Sequence, residues 1–572
     1  MKKVQFKIYK PGKKYNLYLL SAAVLALSFT SCKKDLDVKN PNNPTFETNV
    51  TTLNGLTSYA KGATYWNGFA YGNGWLGDSY FSLPWGYREL MGDEIGGGQG
   101  SNNQTTTMGV PDKFQADPSD ATTVFTNPSP QALSIIRVFN TRAASANANN
   151  ALFYQWNSMY GMINSCNLIL ENMGRVKSLS ADQANTVKAW AYWWKGFAYA
   201  EIGSLYYAGL LIDNSYSINN KYVSKETVIA ESNKYLSLAA TTLAAITNQG
   251  AYNGVISALI PAQCQTGLGA PPSVAEWTRS INTLLARNIL VNHLAPFVNG
   301  NPSATINKAS IPVMATADWN AVISLCNNGV KNGDHVFTGR TTDANSFFSS
   351  TGGSVASLLT ASNQTTTYKL SERLVQQFKS GDARRANFST ANGTFFGDAN
   401  TNTTRYSLVD GVAKGFTGFQ ILGSRQVGGL EIYIGPTYEE NALMLAEAKI
   451  RTGAIDAGLS LVDGVRQYQG AGVAAVSGTG LTLAQALTEL SMERLAALAF
   501  RGMSYYDTRR WGWTYAIANG GGRYGCVINY KGNWYTNATI DYNFMDYWDV
   551  PADESDLNPP STDSAPIKNP NW

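Results

Sequence analysis

The chain has 572 residues, of which 15% are Asp, Glu, Lys or Arg, well under the roughly 25% of an average soluble protein. Its formal net charge of +4 belongs to its first residues: without Lys2, Lys3, Lys7, Lys10, Lys13 and Lys14 the balance is about −2, which excludes the electrostatic footprint of a nucleic-acid binder. His293 and His335 are the only histidines and HExxH is missing, so neither a zinc site nor a histidine-based catalytic triad is expected.

The basic start leads into an apolar run from Leu17 to Phe29. This is the length of a signal-peptide core and too short to span a bilayer. Thr30 and Ser31 then place small residues before Cys32, the pattern a lipoprotein signal peptidase accepts, with Phe29 where leucine is commoner. The expectation is a leader over 1–31, removed to leave a lipidated Cys32, and two or three acyl chains there, since one alone holds only marginally. Residues 32–50, rich in Asn and Pro, read as a flexible tether. No second apolar run is long enough to cross a membrane. The remaining 51–572 can build one large domain, with parts at about 51–335 and 336–572.

Residues 59–87 combine rings with glycine: Tyr59, Tyr65, Trp66, Phe69, Tyr71, Trp75, Tyr80, Phe81, Trp85 and Tyr87 among Gly72, Gly74, Gly77 and Gly86. Rings on tight glycine loops are hard to bury completely. An exposed aromatic face suits the C–H surface of a sugar. The candidate ligand platform is therefore Trp75, Tyr80 and Trp85, oriented by the polar neighbours Asn73 and Asp78. The competing use of these rings is to fill the core beneath a loop. A second place for a platform is the polar insertion around Phe347 to Tyr368.

From here helical periodicity dominates. Trp156, Tyr160, Ile163, Asn167 and Leu170 recur at three and four residues up to Gly174. Ser180 and Gln183 form a capping box for a helix with Val187, Trp190, Trp194, Phe197 and Ala198 on one stripe. Further helices are predicted over about 227–247, from Ser273 and Glu276 through Ile289, and from Asp318 through Leu325. Two more are predicted from Thr437 and Glu440 to Gly453, and from Thr482 and Gln485 to Gly502. Short connections make successive helices hairpins. The fold class is mainly α: tetratricopeptide-like hairpins forming a scaffold, with long loop insertions. Strand signals are few, and Glu431 to Ile434 is at best one short strand. Cys166 and Cys326 fall in helical patterns as core thiols; Cys264 and Cys526 lie far from them, and whether any disulfide forms is left open.

Several segments, in order, resemble the SusD/RagB family of outer-membrane nutrient-binding lipoproteins. They are KKDLD (Lys33 to Asp37), MGDEI (Met91 to Ile95), WNSMYGMINSCNLIL (Trp156 to Leu170) and KGFAYAEIGSLYYAG (Lys195 to Gly209). LMLAEAKIRTG (Leu443 to Gly453) and VDGVRQYQGAG (Val462 to Gly472) follow. The best match is MERLAALAFRGMSYYDTRRWG (Met492 to Gly512), where Glu493, Arg494, Leu498, Gly502, Tyr505, Asp507, Arg510 and Trp511 fit the family pattern. VPADE (Val550 to Glu554), Asn558-Pro559 and KNPNW (Lys568 to Trp572) close the series. Departures are Lys195-Gly196 for Arg-Ala, Asp463 for Asn, and Ala497 and Arg501 where the family has glutamates.

The resemblance implies a non-catalytic protein on the cell surface that captures a glycan, or a peptide in the RagB-like branch, and delivers it to a TonB-dependent transporter in the outer membrane. It implies no cofactor and no metal. A rival class is an exported glycoside hydrolase, which needs a placed pair of carboxylates, and no spacing singles one out. Another is a scaffold binding only protein. Glu493 with Arg494, and Asp507 with Arg509 or Arg510, read as structural ion pairs, and Trp156, Tyr160 and Trp194 as core.

Overall fold

The computed structural model describes residues 49–62, 64, 84–97, 111, 113–126, 137, 139–142, 150–295, 305–340, 368–390, 406–408, 431–530 and 533–572. Two short helices, α1 (Leu53–Lys61) and α2 (Pro84–Met91), precede the long pair α3 (Ala151–Asn172) and α4 (Ala181–Leu205). Then come α5 (Lys225–Ala244), α6 (Gln249–Leu259), α7 (Val274–Val291) and α8 (Thr316–Asn327). The single turn α9 (Glu372–Val375) leads to α10 (Tyr438–Arg451), α11 (Ile455–Tyr468), α12 (Leu483–Ala497), α13 (Ser504–Arg510) and α14 (Ala552–Ser555). Several helices pack on their sequence neighbours, while α6 packs back on α1 and α4. α4 packs on α3 and α5, α7 on α5 and α8, and α10 on α8, α11 and α12. This is the helical-hairpin scaffold expected from the periodicity.

The capping boxes at Ser180/Gln183, Ser273/Glu276 and Thr482/Gln485 are all formed. Two other helix starts differ. Asp318 lies inside α8, where its carboxylate accepts the Ala315 N–H at 2.7 Å from three residues ahead. Thr437 precedes α10 without capping it, because its Oγ1 accepts from Arg501 Nη1 at 3.0 Å. The helix expected to reach Gly502 stops at Ala497. The chain turns through left-handed Phe500 (φ 58°) and Gly502 (φ 69°).

Several buried clusters hold these helices, and two of them differ sharply in chemistry. In the first, the Phe337 ring is surrounded by indoles, with centroids 5.5 Å from Trp190, 4.8 Å from Trp193, 5.7 Å from Trp194 and 5.4 Å from Trp277. Gly196 brings α4 against α5: a Cβ there would come within 2.9 Å of Leu236. Trp156 and Trp194 are buried as expected. The cysteines Cys166, Cys264, Cys326 and Cys526 are free and buried.

The second cluster, beneath α10 to α13, is ionic and runs beside an apolar one that includes Leu443, Leu459 and Leu487. Asp507 accepts from Arg494 at 3.0 Å and from Arg510 at 2.7 Å, and Arg510 reaches Glu447 at 2.6 Å. Glu493 pairs with Arg384 and Arg466 rather than with Arg494. Arg509 caps carbonyls instead of meeting a carboxylate, donating to Ser204, Asp546 and Val291. Arg501 pairs with Glu439 and lies 4.6 Å from the Tyr433 ring centroid. The Met492–Gly512 segment is thus a set of buried crosslinks.

The described strands are mostly short, in keeping with the expected fold class. Strand β1 (Ile95–Gly97) is followed by β2 (Lys113–Asp117) and β3 (Asp120–Thr126). The short β4 (Ala208–Leu210) and β5 (Tyr222–Ser224) pair with each other. β6 (Thr338–Arg340), β7 (Tyr368–Leu370), β8 (Phe388–Thr390), β9 (Tyr406–Leu408) and β10 (Glu431–Tyr433) make three further two-stranded pairings, β1 with β7, β6 with β10 and β8 with β9. The hairpin of β11 (Arg523–Tyr530) and β12 (Asn533–Asp541) joins β2 and β3 in a four-stranded antiparallel sheet ordered β11-β12-β2-β3. Phe114, Phe125, Tyr530 and Tyr535 pack on one of its faces.

The C-terminal tail runs back over the scaffold. Ala565 N–H donates to the Tyr222 carbonyl at 2.8 Å. Asn569, 1% exposed, donates to Asp546 at 2.7 Å and accepts from Ser310 Oγ at 3.1 Å.

Candidate functional site

Where α9, α12 and β11 meet, an open cleft of about 670 Å³ forms. Its floor is set from a distance. Asp93, in the MGDEI segment, is 2% exposed and left-handed (φ 58°). It accepts from Arg373 Nη2 at 2.6 Å, Arg523 Nη1 at 2.8 Å, Ser371 Oγ at 3.1 Å, and the Tyr542 hydroxyl. Burial raises the Asp93 carboxyl, but Arg373 and Arg523 more than offset it, and it ends below its ordinary range. It is therefore ionised and holds both guanidiniums of the cleft in place.

The groups left for a ligand come from three elements. Arg385, on the 3-10 turn Ala383–Asn387, is half-buried; among the described residues its side chain makes one hydrogen bond, to the Phe378 carbonyl at 3.4 Å, and no ion pair. Gln376 and Gln377 use their amide nitrogens on the carbonyls of Val527 (3.3 Å) and Arg373 (2.7 Å), which leaves their side-chain oxygens as acceptors. Tyr524 is 40% exposed. It sits at a β-bulge, where the β11–β12 register shifts between Arg523 and Cys526 and left-handed Gly525 (φ 70°) turns the strand. Bulges re-aim side chains in this way. Trp513 lies behind it with the Arg523 guanidinium 4.7 Å from its ring centroid. Its indole Nε1 is buried with no acceptor among the described residues.

A ring face, a guanidinium outside any ion pair among the described residues and amide oxygens can recognise a polar ligand with apolar faces. Among the described lining residues Glu372 is the one carboxylate. Among the described residues, no group of three His, Cys, Asp or Glu could hold a metal ion.

Of the residues expected at the site from sequence, Trp85 is 6% exposed. It packs in α2 with the Arg88 guanidinium 5.8 Å from its ring centroid, around a void of about 20 Å³ shared with Phe197, Tyr433 and Leu498. Cys32, Asn73, Trp75, Asp78 and Tyr80 lie outside the described residues, as does all of the 347–368 insertion but Tyr368. The cleft residues Arg385, Tyr524 and Trp513 were not anticipated. The one local signal was the glycine after Tyr524, a bulge residue inside a strand-like run.

The architecture is that of a known class. A SusD superfamily protein from Bacteroides vulgatus shares it at 15% identity, over 92% of this chain and 100% of that one, with a TM-score of 0.50. A second structure, solved with a xylogluco-oligosaccharide, matches at 13% identity over 90% of this chain and 99% of the other, with a TM-score of 0.52. No family model and no curated protein matches the sequence. The chain therefore has the SusD fold, a tetratricopeptide-like helical scaffold carrying an open polar and aromatic cleft.

Proposed function

We propose that the protein is a cell-surface lipoprotein that captures a glycan and passes it to a TonB-dependent transporter in the outer membrane. The observation that carries this reading is the cleft, lined by exposed Tyr524 and by Arg385, whose guanidinium makes no ion pair among the described residues, on a fold shared over its length with a structure that holds a xylogluco-oligosaccharide. The leader and Cys32 support the anchor. No helix among the described residues is long and apolar enough to cross a membrane, so the lipid is the attachment in this reading. The protein binds without catalysis: a glycosidase needs two carboxylates roughly 5–9.5 Å apart across the scissile bond, and the described cleft lining supplies Glu372 alone. Trp75 and Tyr80, with Asn73 and Asp78, belong to this proposal as a further ligand-facing group.

A screen of the mature chain against xyloglucan fragments, other glycans and peptides tests it. The Tyr524→Ala variant loses on the order of 1–3 kcal/mol of affinity for the bound ligand, as a stacking ring does, while its melting temperature stays near wild type. Affinity unchanged in Tyr524→Ala and Arg385→Ala sinks the cleft. The guanidinium of Arg385 favours a ligand with a carboxylate, so uronic-acid glycans and peptide C-termini belong in the screen. A peptide that binds while every glycan fails selects the RagB-like reading. Fatty-acid labelling that is equal in wild type and Cys32→Ala removes the anchor.

A further inference from the structure

The β11–β12 hairpin carries a second exposed ring besides Tyr524. It is Trp534, on β12, 45% exposed. Among the described tryptophans it stands apart: Trp572 is half-buried and every other one is 7% exposed or less. Indoles are highly buried on average, and an open one leaves a large apolar face in water.

The strand register says which way this indole faces. Tyr530 and Tyr535 pack with Phe114 and Phe125 on the inner face of the sheet. Side chains alternate along a strand, and residues directly opposite share a face. Ile528, opposite Tyr535, therefore belongs to the inner face, and Asn529, opposite Trp534, to the outer one. Val527 alternates with Ile528 and shares the outer face with Asn529. Val527 also lines the cleft, and its carbonyl accepts from Gln376 Nε2 at 3.3 Å, which ties this strand to the cleft wall. One outer surface thus runs from the cleft through Val527 and Asn529 to Trp534.

The spacing along that surface sets what can use it. Val527 to Asn529 is about 7 Å of strand, and the step across to β12 adds about 4.8 Å at right angles, so Trp534 stands roughly 8 Å from the cleft wall. Tyr524 to Asn529 is roughly 17 Å of strand. A single sugar ring on Tyr524 does not reach Trp534; a chain of sugars does. Asn529 puts an amide beside the indole, and a ring face with an amide at its edge suits a sugar's C–H surface and hydroxyls.

We propose that Trp534 is a distal stacking subsite of the cleft, so that the ligand is an oligosaccharide laid along the outer face of the hairpin from Tyr524 to Trp534. This rests on the glycan reading of the cleft and adds to it a selection for chain length.

Calorimetric titration of the full chain with two xylogluco-oligosaccharides tests it, one a disaccharide and one with a backbone long enough to cover the roughly 17 Å. Wild type binds the long one more tightly. Trp534→Ala raises Kd for the long one roughly tenfold, as the loss of a stacking ring does, and leaves the disaccharide and the melting temperature unchanged. Trp534→Phe keeps a ring and most of the affinity, and it decides should Trp534→Leu and Trp534→Ala lower the melting temperature. Tyr524→Ala weakens both oligosaccharides. If Trp534→Ala leaves the long one unchanged while Tyr524→Ala weakens it, the subsite is overturned and the cleft stands. An equal loss for both lengths in Trp534→Ala also overturns it, since a distal contact acts on the long chain only. So does a loss in Trp534→Ala with none in Tyr524→Ala, which puts the ligand off the cleft. If wild type binds neither oligosaccharide, the cleft fails as a site for this glycan and the subsite falls with it.

Discussion

The two cores solve the same packing problem with opposite chemistry. Around Phe337 the helices α4 and α7 are joined by the indoles of Trp190, Trp193, Trp194 and Trp277. Beneath α10, α12 and α13 the equivalent space is crossed by Glu447, Arg494, Asp507 and Arg510, all 1% exposed or less. Rings contribute area and tolerate small shifts in their neighbours. Buried charges contribute only while every partner is in place, because a lone charge in a low dielectric is strongly destabilising. The indole cluster itself should therefore be indifferent to pH, and the ionic cluster should not.

The largest effects come from removing one member of each core. Glu447→Gln removes the carboxylate that Arg451 pairs with and leaves Arg510 with Asp507 alone, and it destabilises by roughly 3–5 kcal/mol near neutral pH. Trp193→Ala destabilises by a similar roughly 3–5 kcal/mol through lost area and a cavity. Urea unfolding against pH separates them. Burial pushes the Glu447 carboxyl up, but Arg510 and Arg451 outweigh burial and hold it far below the usual range. Its contribution is present above the ordinary glutamate value of about 4.3 and is lost as the pH falls below it. The gap between wild type and Glu447→Gln narrows with acid, while the gap to Trp193→Ala stays constant. Parallel acid responses would dissolve the contrast.

An intermediate effect of opposite sign sits at α2. Glu89 accepts from the Gly502 N–H and Ser504 Oγ, and Glu94 accepts from the Phe500 N–H at 2.8 Å. Together they hold the left-handed turn after α12. Burial, then the neighbouring Glu89 charge, raises Glu94 well above the usual range, so it carries the proton the two share. Stability from this pair is complete below the ordinary glutamate pKa and is lost as the pH rises through the raised value. Glu94→Gln keeps a neutral donor at the same place. It should cost less than about 1.5 kcal/mol, the worth of one hydrogen bond, and remove the loss that wild type shows as the pH rises above the ordinary glutamate range.

The smallest effect is expected at the charge that intrudes on the aromatic half. Lys195 donates to Asn167 Oδ1 at 2.6 Å and to the Tyr235 hydroxyl at 2.8 Å, and burial lowers it to about 8. Unfolded lysine binds its proton up to about 10.4, so wild type gains stability as the pH rises between the two values. Lys195→Met removes the charge at similar volume and should change stability by no more than about 1 kcal/mol at neutral pH, while abolishing that alkaline gain. A loss as large as that of Glu447→Gln would mean the ammonium is as integral here as the ion pairs are below.

The same contrast explains what could be read from the chain alone. Caps at Ser180, Ser273 and Thr482 act across three residues, so they were legible and formed. The indole stripe of α4 was legible for the same reason. The four-stranded sheet was not, because β12 finds β2 across the length of the chain, with Ile540 opposite Phe114, and the bulge at Gly525 breaks the alternation that would have marked β11. The ionic core was legible as charges but not as partners: Glu493 meets Arg384 from another segment rather than its neighbour Arg494. The cleft was least legible. Arg385 and Tyr524 become a site only after Asp93 has gathered Arg373 and Arg523 from far along the chain.

The docked tail has a consequence for timing. Ser310 receives its partner Asn569 only after the 259 residues between them have been made, which takes roughly 13–50 s at about 5–20 residues per second. Through that interval the scaffold lacks its closing contacts on Tyr222, Ser310 and Asp546. A fold fastened by so distant a segment closes only after that segment has left the ribosome.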